Sequence, residues 1–178
     1  QHTIGSMRED AYRIAELTYR KEVDSATRLY NKNKYEDMLA NYYTMVDRVA
    51  VVLWDINNLK EVNDRMGHGM GDKLIETLSG AIYAQTDKRK KAYRIGGDEF
   101  VMLIENPEEQ EAEQIIQSVK DKLARYREEG GLRVSSATGT AEGHGIDILK
   151  IIPDADERMY EDKTRGKESR EYARVYSE

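Results

Sequence analysis

Asp55 closes a run of apolar residues, Val49-Ala50-Val51-Val52-Leu53-Trp54, and Asp98-Glu99 follows directly on Gly96-Gly97. An unbroken apolar run reads as a strand buried on both faces, and ligands in α/β folds gather beyond the carboxyl ends of such strands. Taken singly, an Asp at a strand end reads as a cap and an acidic hairpin tip as solvent-exposed. Taken together they suggest more: if the Gly-Gly hairpin packs beside the Val49–Trp54 strand, Asp55 and Asp98 face each other. Two carboxylates held close repel, and a divalent cation relieves the repulsion. An oxygen-only site with few ligands suits Mg²⁺ or Mn²⁺, which bind through one or two carboxylates plus substrate phosphates. There is no cysteine and no histidine cluster nearby, so neither zinc nor an iron–sulfur centre is indicated. Neighbouring residues on a strand point to opposite faces, so Asp98 and Glu99 are expected to differ in role.

Cations and amides complete the set. Lys60 follows Asp55 by five residues and could reach a phosphate as a point charge; Lys163 and Lys167, one helical turn apart, could do the same. Asp72 reads equally as a helix N-cap and as a ligand. As a ligand, its carboxylate suits the N1–H and exocyclic amine of guanine, whereas adenine presents a lone pair at N1. Asn63 both donates and accepts, so it fits another part of a purine edge. His68, between glycines, reads as a loop-packing residue.

These side chains need a scaffold, and the pattern supplies one. Met7 to Val23 and Tyr35 to Val46 read as helices. Leu59 to Met66 and Asp72 to Ala84 read as two more, separated by Gly67-His68-Gly69-Met70-Gly71. Ala92–Ile95 and Phe100–Ile104 read as a hairpin about Gly96-Gly97. Pro107 sits near the start of a long amphipathic helix ending near Gly130, with Ile115, Ile116, Val119 and Leu123 inward. Leu132 to Thr138 reads as a strand, Asp147 to Thr164 as a helix interrupted near Pro153, and Arg174-Val175-Tyr176 as a closing edge strand. Strands alternating with helices, but with one hairpin, predict a mixed sheet.

The chain has 178 residues, enough for one domain plus a modest extension. No apolar run approaches the ~18 residues of a membrane span. A net charge of −6 argues against a protein that coats duplex DNA. Residues 1–6, ahead of Met7, are a candidate tag remnant, and the sparse apolar positions up to Val23 fit a solvated helix or the end of a coiled-coil stalk.

The motifs resemble a known family. Arg94-Ile95-Gly96-Gly97-Asp98-Glu99-Phe100 matches the signature of GGDEF diguanylate cyclases. Asp55 to Asp72 resembles the family's D-x-D-x-F-K-x-x-N-D-x-x-G-H-x-x-G-D segment, Asp24 to Lys32 its D-x-L-T-G-L-x-N-R segment, and Ala155 to Lys167 its A-D-x-A-L-Y-x-A-K-x-x-G-R end. The resemblance implies an α/β (α+β) fold with a central mixed sheet flanked by helices, similar to the palm of polymerases and nucleotide cyclases. It implies residues 1–23 as an N-terminal helix or linker and 24–178 as the cyclase domain. It further implies that two GTP become cyclic di-GMP and two pyrophosphates, in a homodimer with one GTP per subunit. On that match, Asp55, the backbone carbonyl of Ile56 and Asp98 hold Mg²⁺ or Mn²⁺. Asp98 also accepts the 3′-hydroxyl proton, and Glu99 is a second essential acid. Asn63 and Asp72 contact guanine, while Lys60, Lys163 and Lys167 contact the triphosphate, with Lys60 also stabilising transition-state charge. An upstream sensor domain in a longer protein, a cytoplasmic supply of GTP (with the whole protein cytoplasmic or membrane-tethered), and no nucleic-acid or membrane contact by this stretch also follow from the resemblance.

Departures are as informative as matches. Asn57 stands where the family often has a second Asp, Leu59 where it has Phe, and Lys167 where it has Arg, which loses a bidentate fork. Ala26 and Arg28 replace Leu and Gly, and an Arg would strain a turn that needs positive φ. Many members carry R-x-x-D upstream of the signature to bind product as an inhibitor. Here Asp87 and Lys90 reverse those charges, which predicts no product inhibition through that site. Two readings of function stand: an active cyclase, or a weakly active domain that holds GTP or a partner as a regulatory module.

Overall fold

The computed structural model describes residues 3–176, so Gln1 and His2 of the candidate tag remnant and residues 177–178 lie outside the described residues. In chain order the elements are α1 (Ile4–Glu22), α2 (Lys32–Asn41), a 3₁₀ turn (Tyr43–Met45), β1 (Arg48–Ile56), α3 (Leu59–Met66) and α4 (His68–Tyr83). They continue with β2 (Lys90–Arg94), β3 (Glu99–Glu105), α5 (Glu111–Glu128), β4 (Ser136–His144), a second 3₁₀ turn (Gly145–Asp147) and α6 (Ile148–Tyr176). None of the described helices is long and apolar enough to cross a membrane.

The strands form one sheet in the order β2-β3-β1-β4, with helices on both faces. Its ladders are antiparallel, and among the described residues the parallel pairing that a mixed sheet requires is confined to the bridge between Tyr30 and Tyr93 beside the edge strand. The apolar run at β1 is buried because it serves both layers. Ala50, Val52, Trp54 and Ile56 pack with Leu78 and Ile82 of α4 and Ile115 and Val119 of α5, while Val49, Val51 and Leu53 pack with Ile148, Ile151 and Met159 of α6. Burying one such aliphatic side chain contributes ~1.5–3 kcal/mol, so this double-sided strand anchors the domain.

Several expectations about elements need correction. β4 is Ser136–His144 rather than Leu132–Thr138. It carries glycines where α6 lies against it: a Cβ on Gly139 would stand 2.1 Å from the carbonyl oxygen of Ala155, and one on Gly143 3.0 Å from Ile151 Cδ1. α6 is not interrupted at Pro153, and 174–176 lie within this helix rather than in an edge strand. Pro153 removes the bond to the Leu149 carbonyl, but both residues are exposed, so water can satisfy that oxygen. α4 begins at His68, so Gly69 and Gly71 are helical, Asp72 is not an N-cap, and His68 is an exposed first helical residue rather than loop packing. The β2–β3 connection spans Ile95 to Asp98 and is closed by the Ile95 N–H donating to the Glu99 carbonyl at 3.0 Å, so it is longer than a two-residue turn.

Candidate functional site

The strand ends beside the β2–β3 turn bring three carboxylates together. Asp55 shares its face of β1 with Val51 and Leu53, the face that α6 covers, and it is 7% exposed. Its cross-strand partner on β3 is Glu99, while Asp98 lies in the turn just before that strand. The Ile56 N–H donates to the Asp98 carbonyl at 3.0 Å, which pins the turn to the end of β1. The Asp98 carboxyl is near enough to Asp55 to feel its charge. The expected facing of Asp55 and Asp98 is met, and Glu99 joins them instead of pointing to a separate environment.

The electrostatics are those of an incompletely neutralised cluster. Lys163 of α6 donates to Asp55 Oδ2 at 2.9 Å, but Asp55 Oδ1 is buried with no hydrogen-bond partner. Burial, and then the Asp55 charge, push the Asp98 carboxyl above the ordinary carboxylate range. Burial, followed by Asp55, Asp98 and Asp156, does the same to Glu99. The hydrogen bond to Asp55 holds Lys163 above the ordinary lysine range. An ammonium thus stands where a cation is needed. Among the described residues no group of three or more His, Cys, Asp or Glu forms a ready-made metal cage. The carboxylates of Asp55 and Asp98 are oxygen donors of the kind that suits a hard cation completed by ligands from substrate. The bare Asp55 oxygen is the observation that favours such a fit.

The other candidates divide. Asn63 of α3 packs against α4 so closely that a Cβ on Gly71 would meet its Oδ1 at 1.8 Å. This contact accounts for glycine at 71, and it places Asp72, exposed, on the next residue of α4. Asn63 Oδ1 is itself buried without a partner. Lys60 is exposed in the first turn of α3, a helix whose start lacks a side-chain cap, so its leading N–H groups are open to an anion. Lys167 is exposed one turn beyond Lys163. Gly96 and Gly97 make up the middle of the turn. Neither adopts positive φ, a Cβ on Gly97 would meet nothing within 4 Å, and one on Gly96 would come to 3.3 Å from Glu99 Oε2.

Two residues of the site were not singled out from the sequence. Arg94 donates from Nε to the Gly96 carbonyl at 3.2 Å, from Nη2 to the Gly97 carbonyl at 2.8 Å, and from Nη1 to Asp24 Oδ2 at 3.2 Å. Asp24 Oδ2 also accepts from the Thr27 N–H at 3.0 Å and the Thr27 hydroxyl at 2.8 Å. Both residues sit inside quoted motifs, and the signal available was an arginine next to glycines whose carbonyls no strand claims. Elsewhere, Lys90 Nζ pairs with Asp87 Oδ2 at 3.2 Å, so the reversed charges satisfy each other.

Known proteins resemble this chain in sequence and fold. The family model described as "Diguanylate cyclase, GGDEF domain" matches residues 21–169. The chain is 27% identical over 166 residues to diguanylate cyclase DgcS of Shewanella oneidensis, covering 89% of this chain and 55% of that protein. It is 34% identical over 150 residues to cyclic di-GMP phosphodiesterase PdeR of Escherichia coli, covering 81% and 23%. It thus spans from about a quarter to about half of these relatives' lengths. In fold it is similar to the coiled coil and GGDEF domain of DgcB from Caulobacter crescentus, with a TM-score of 0.77 at 19% identity over 91% of each chain.

Proposed function

The chain belongs to the GGDEF family of diguanylate cyclases, and from that premise we propose that it condenses two GTP into cyclic di-GMP and two pyrophosphates, as a pair of subunits each presenting one GTP. The observation that carries this reading is the buried, partnerless oxygen of Asp55 with Asp98 beside it. In each half-reaction the 3′-hydroxyl of one GTP attacks the α-phosphate of the other in line. The new O–P bond forms as the bond to pyrophosphate breaks, and the hydroxyl proton passes to Asp98. Asp55, Asp98 and the Ile56 carbonyl would hold Mg²⁺ or Mn²⁺, which when bound draws charge from the reacting phosphate oxygens. Lys163, Lys60 and Lys167 would contact the triphosphate, Lys163 exchanging its bond to Asp55 for phosphate oxygens. Asn63 and Asp72 receive the guanine edge, and Glu99 adds the second acid at the centre. Positioning and fixed charge supply most of the rate. The subunit belongs to a longer protein with an upstream sensor segment, and the reaction takes place in the cytoplasm, where GTP is supplied.

The self-paired Asp87 and Lys90 leave no Arg–Asp fork for product, so cyclic di-GMP at low micromolar concentration is expected neither to bind there nor to slow turnover. A second reading draws on PdeR, a relative named for cleaving cyclic di-GMP: the domain would bind GTP and regulate without turning it over. The test is incubation of enforced dimers with GTP and Mn²⁺, followed by mass analysis. Cyclic di-GMP is expected. GTP that is bound but unconverted at high protein concentration would overturn the first reading and favour the second.

A further inference from the structure

We infer that Arg94 is a positioning residue which, buttressed by Asp24, holds the Gly96-Gly97 turn so that Asp98 stays beside Asp55. The inference rests on the proposed function and adds to it the device that keeps a repelling pair in place. Three observations lead to it. First, the Ile56 N–H bond to the Asp98 carbonyl and the pairing of Asp55 with Glu99 bring three acids to one strand end, where Lys163 is bonded to Asp55 alone, so the turn experiences an outward push. Second, the middle of the turn has little stiffness of its own. Its two glycines are not held at positive φ, and they carry no side chain to anchor them: a Cβ on Gly97 would meet nothing within 4 Å and one on Gly96 would meet the Glu99 side chain. Third, the guanidinium binds the carbonyls of both glycines, and its remaining arm is tied to Asp24. With the Ile56 N–H on the Asp98 carbonyl, this holds the residue from both sides.

Asp24 is itself fixed. Its N–H donates to the Leu29 carbonyl at 2.8 Å, and its carboxylate accepts twice from Thr27. The returning chain joins the edge of the sheet, where the Tyr30 N–H donates to the Ala92 carbonyl at 3.1 Å and the Arg94 N–H to the Tyr30 carbonyl at 2.8 Å. The planar fork is what matters, because a lysine keeps the charge near Asp24 but cannot hold two carbonyls in one plane.

The decisive comparison is Arg94→Lys, with Asp24→Asn as a milder second variant. In Arg94→Lys, amide exchange across residues 95–99 should accelerate about tenfold or more while the melting temperature stays within a few degrees. The Mn²⁺ affinity of the GTP-loaded protein, read by electron paramagnetic resonance, should weaken ~10–100-fold. Turnover should fall ~10²-fold with KM for GTP nearly unchanged, because Asn63 and Asp72 are untouched. Asp24→Asn should move every readout the same way by less. Unchanged exchange in Arg94→Lys, or a loss of melting temperature in proportion to the loss of turnover, would overturn the inference. A wild-type protein that makes no cyclic di-GMP would sink the proposed reaction alone, since exchange at the turn still decides on Arg94.

Discussion

Two acidic clusters flank the β2–β3 turn, and they are solved in opposite ways. At Asp24 every demand is met. Burial would raise its carboxyl, but the bonds from Thr27 and the charge and bond of Arg94 outweigh it and hold the group below the ordinary range. At Asp55, Asp98 and Glu99 the demands outrun the partners: one ammonium serves three acids, an oxygen is bare, and two carboxyls are pushed upward. Satisfied charge of the first kind specifies backbone geometry, whereas unsatisfied charge of the second kind is costly to keep and is what the proposed cation and substrate would relieve. The sharpest way to break the contrast is Asp98→Asn. It should lower cyclic di-GMP formation ~10²–10⁴-fold, as for loss of a general base. It should also raise the metal-free melting temperature, by ~2–4 °C for each kcal/mol of repulsion relieved. An Asp98→Asn protein that is less stable than wild type without metal would show that the cluster is not strained.

Lys163→Met probes the same cluster from the other side. It leaves Asp55 buried without its ion pair, so metal-free stability should fall. Lys163 is partly exposed, which limits the loss to about 1 kcal/mol. Saturating Mn²⁺ should then raise the melting temperature of the variant more than that of wild type, because the added ion replaces a missing charge rather than competing with a resident one. An equal Mn²⁺ shift in both proteins would argue that Lys163 does not stand in for a cation.

The contrast also explains what could be read in the sequence. Val49 to Trp54 announces a buried strand because one residue type serves both faces, and the acids at its end announce a site. The helix pairing of α3 and α4 is obscured because Gly69 and Gly71 look like a loop, although Gly71 is helical and small to admit Asn63. β4 is obscured because its glycines answer to α6, a neighbour that no local pattern reveals. The brace is obscured for the same reason: Asp24 and Arg94 are 70 residues apart, and only the fold makes one the acceptor of the other.

Acid titration separates the two clusters by sign. Asp24 has a lowered folded pKa, so the stability it contributes is complete above the ordinary range near ~4 and is lost as pH falls through the folded value. Asp98 and Glu99 have raised folded values, so without metal their contribution is present below the ordinary range and is lost as pH rises through those values. Urea midpoints measured from about pH 2.5 to 7 should therefore lose part of their acid limb in Asp24→Asn. In Asp98→Asn they should lose part of the decline on the other side. The same change in both variants would mean the two clusters are not distinct.

The smallest effect is expected where the brace itself carries strain. Arg28 lies in the turn that Asp24 organises, with φ of 63°, in the left-handed region that side chains other than glycine enter at a cost of ~1–2 kcal/mol. The Arg28 N–H donates to the Asp24 carbonyl at 3.1 Å, so this conformation belongs to the loop's own hydrogen bonding. Arg28→Gly removes the strain but frees the unfolded chain, which offsets ~0.5–1 kcal/mol of the gain. A net stabilisation of ~0.5–1 kcal/mol is expected, with turnover and Mn²⁺ affinity unchanged because Asp24, Thr27 and Arg94 keep their bonds. A destabilised Arg28→Gly would mean that the exposed guanidinium contributes to the loop through its side chain. A change in Mn²⁺ affinity would mean that the brace responds to the backbone at residue 28 as well as to the charge at residue 24.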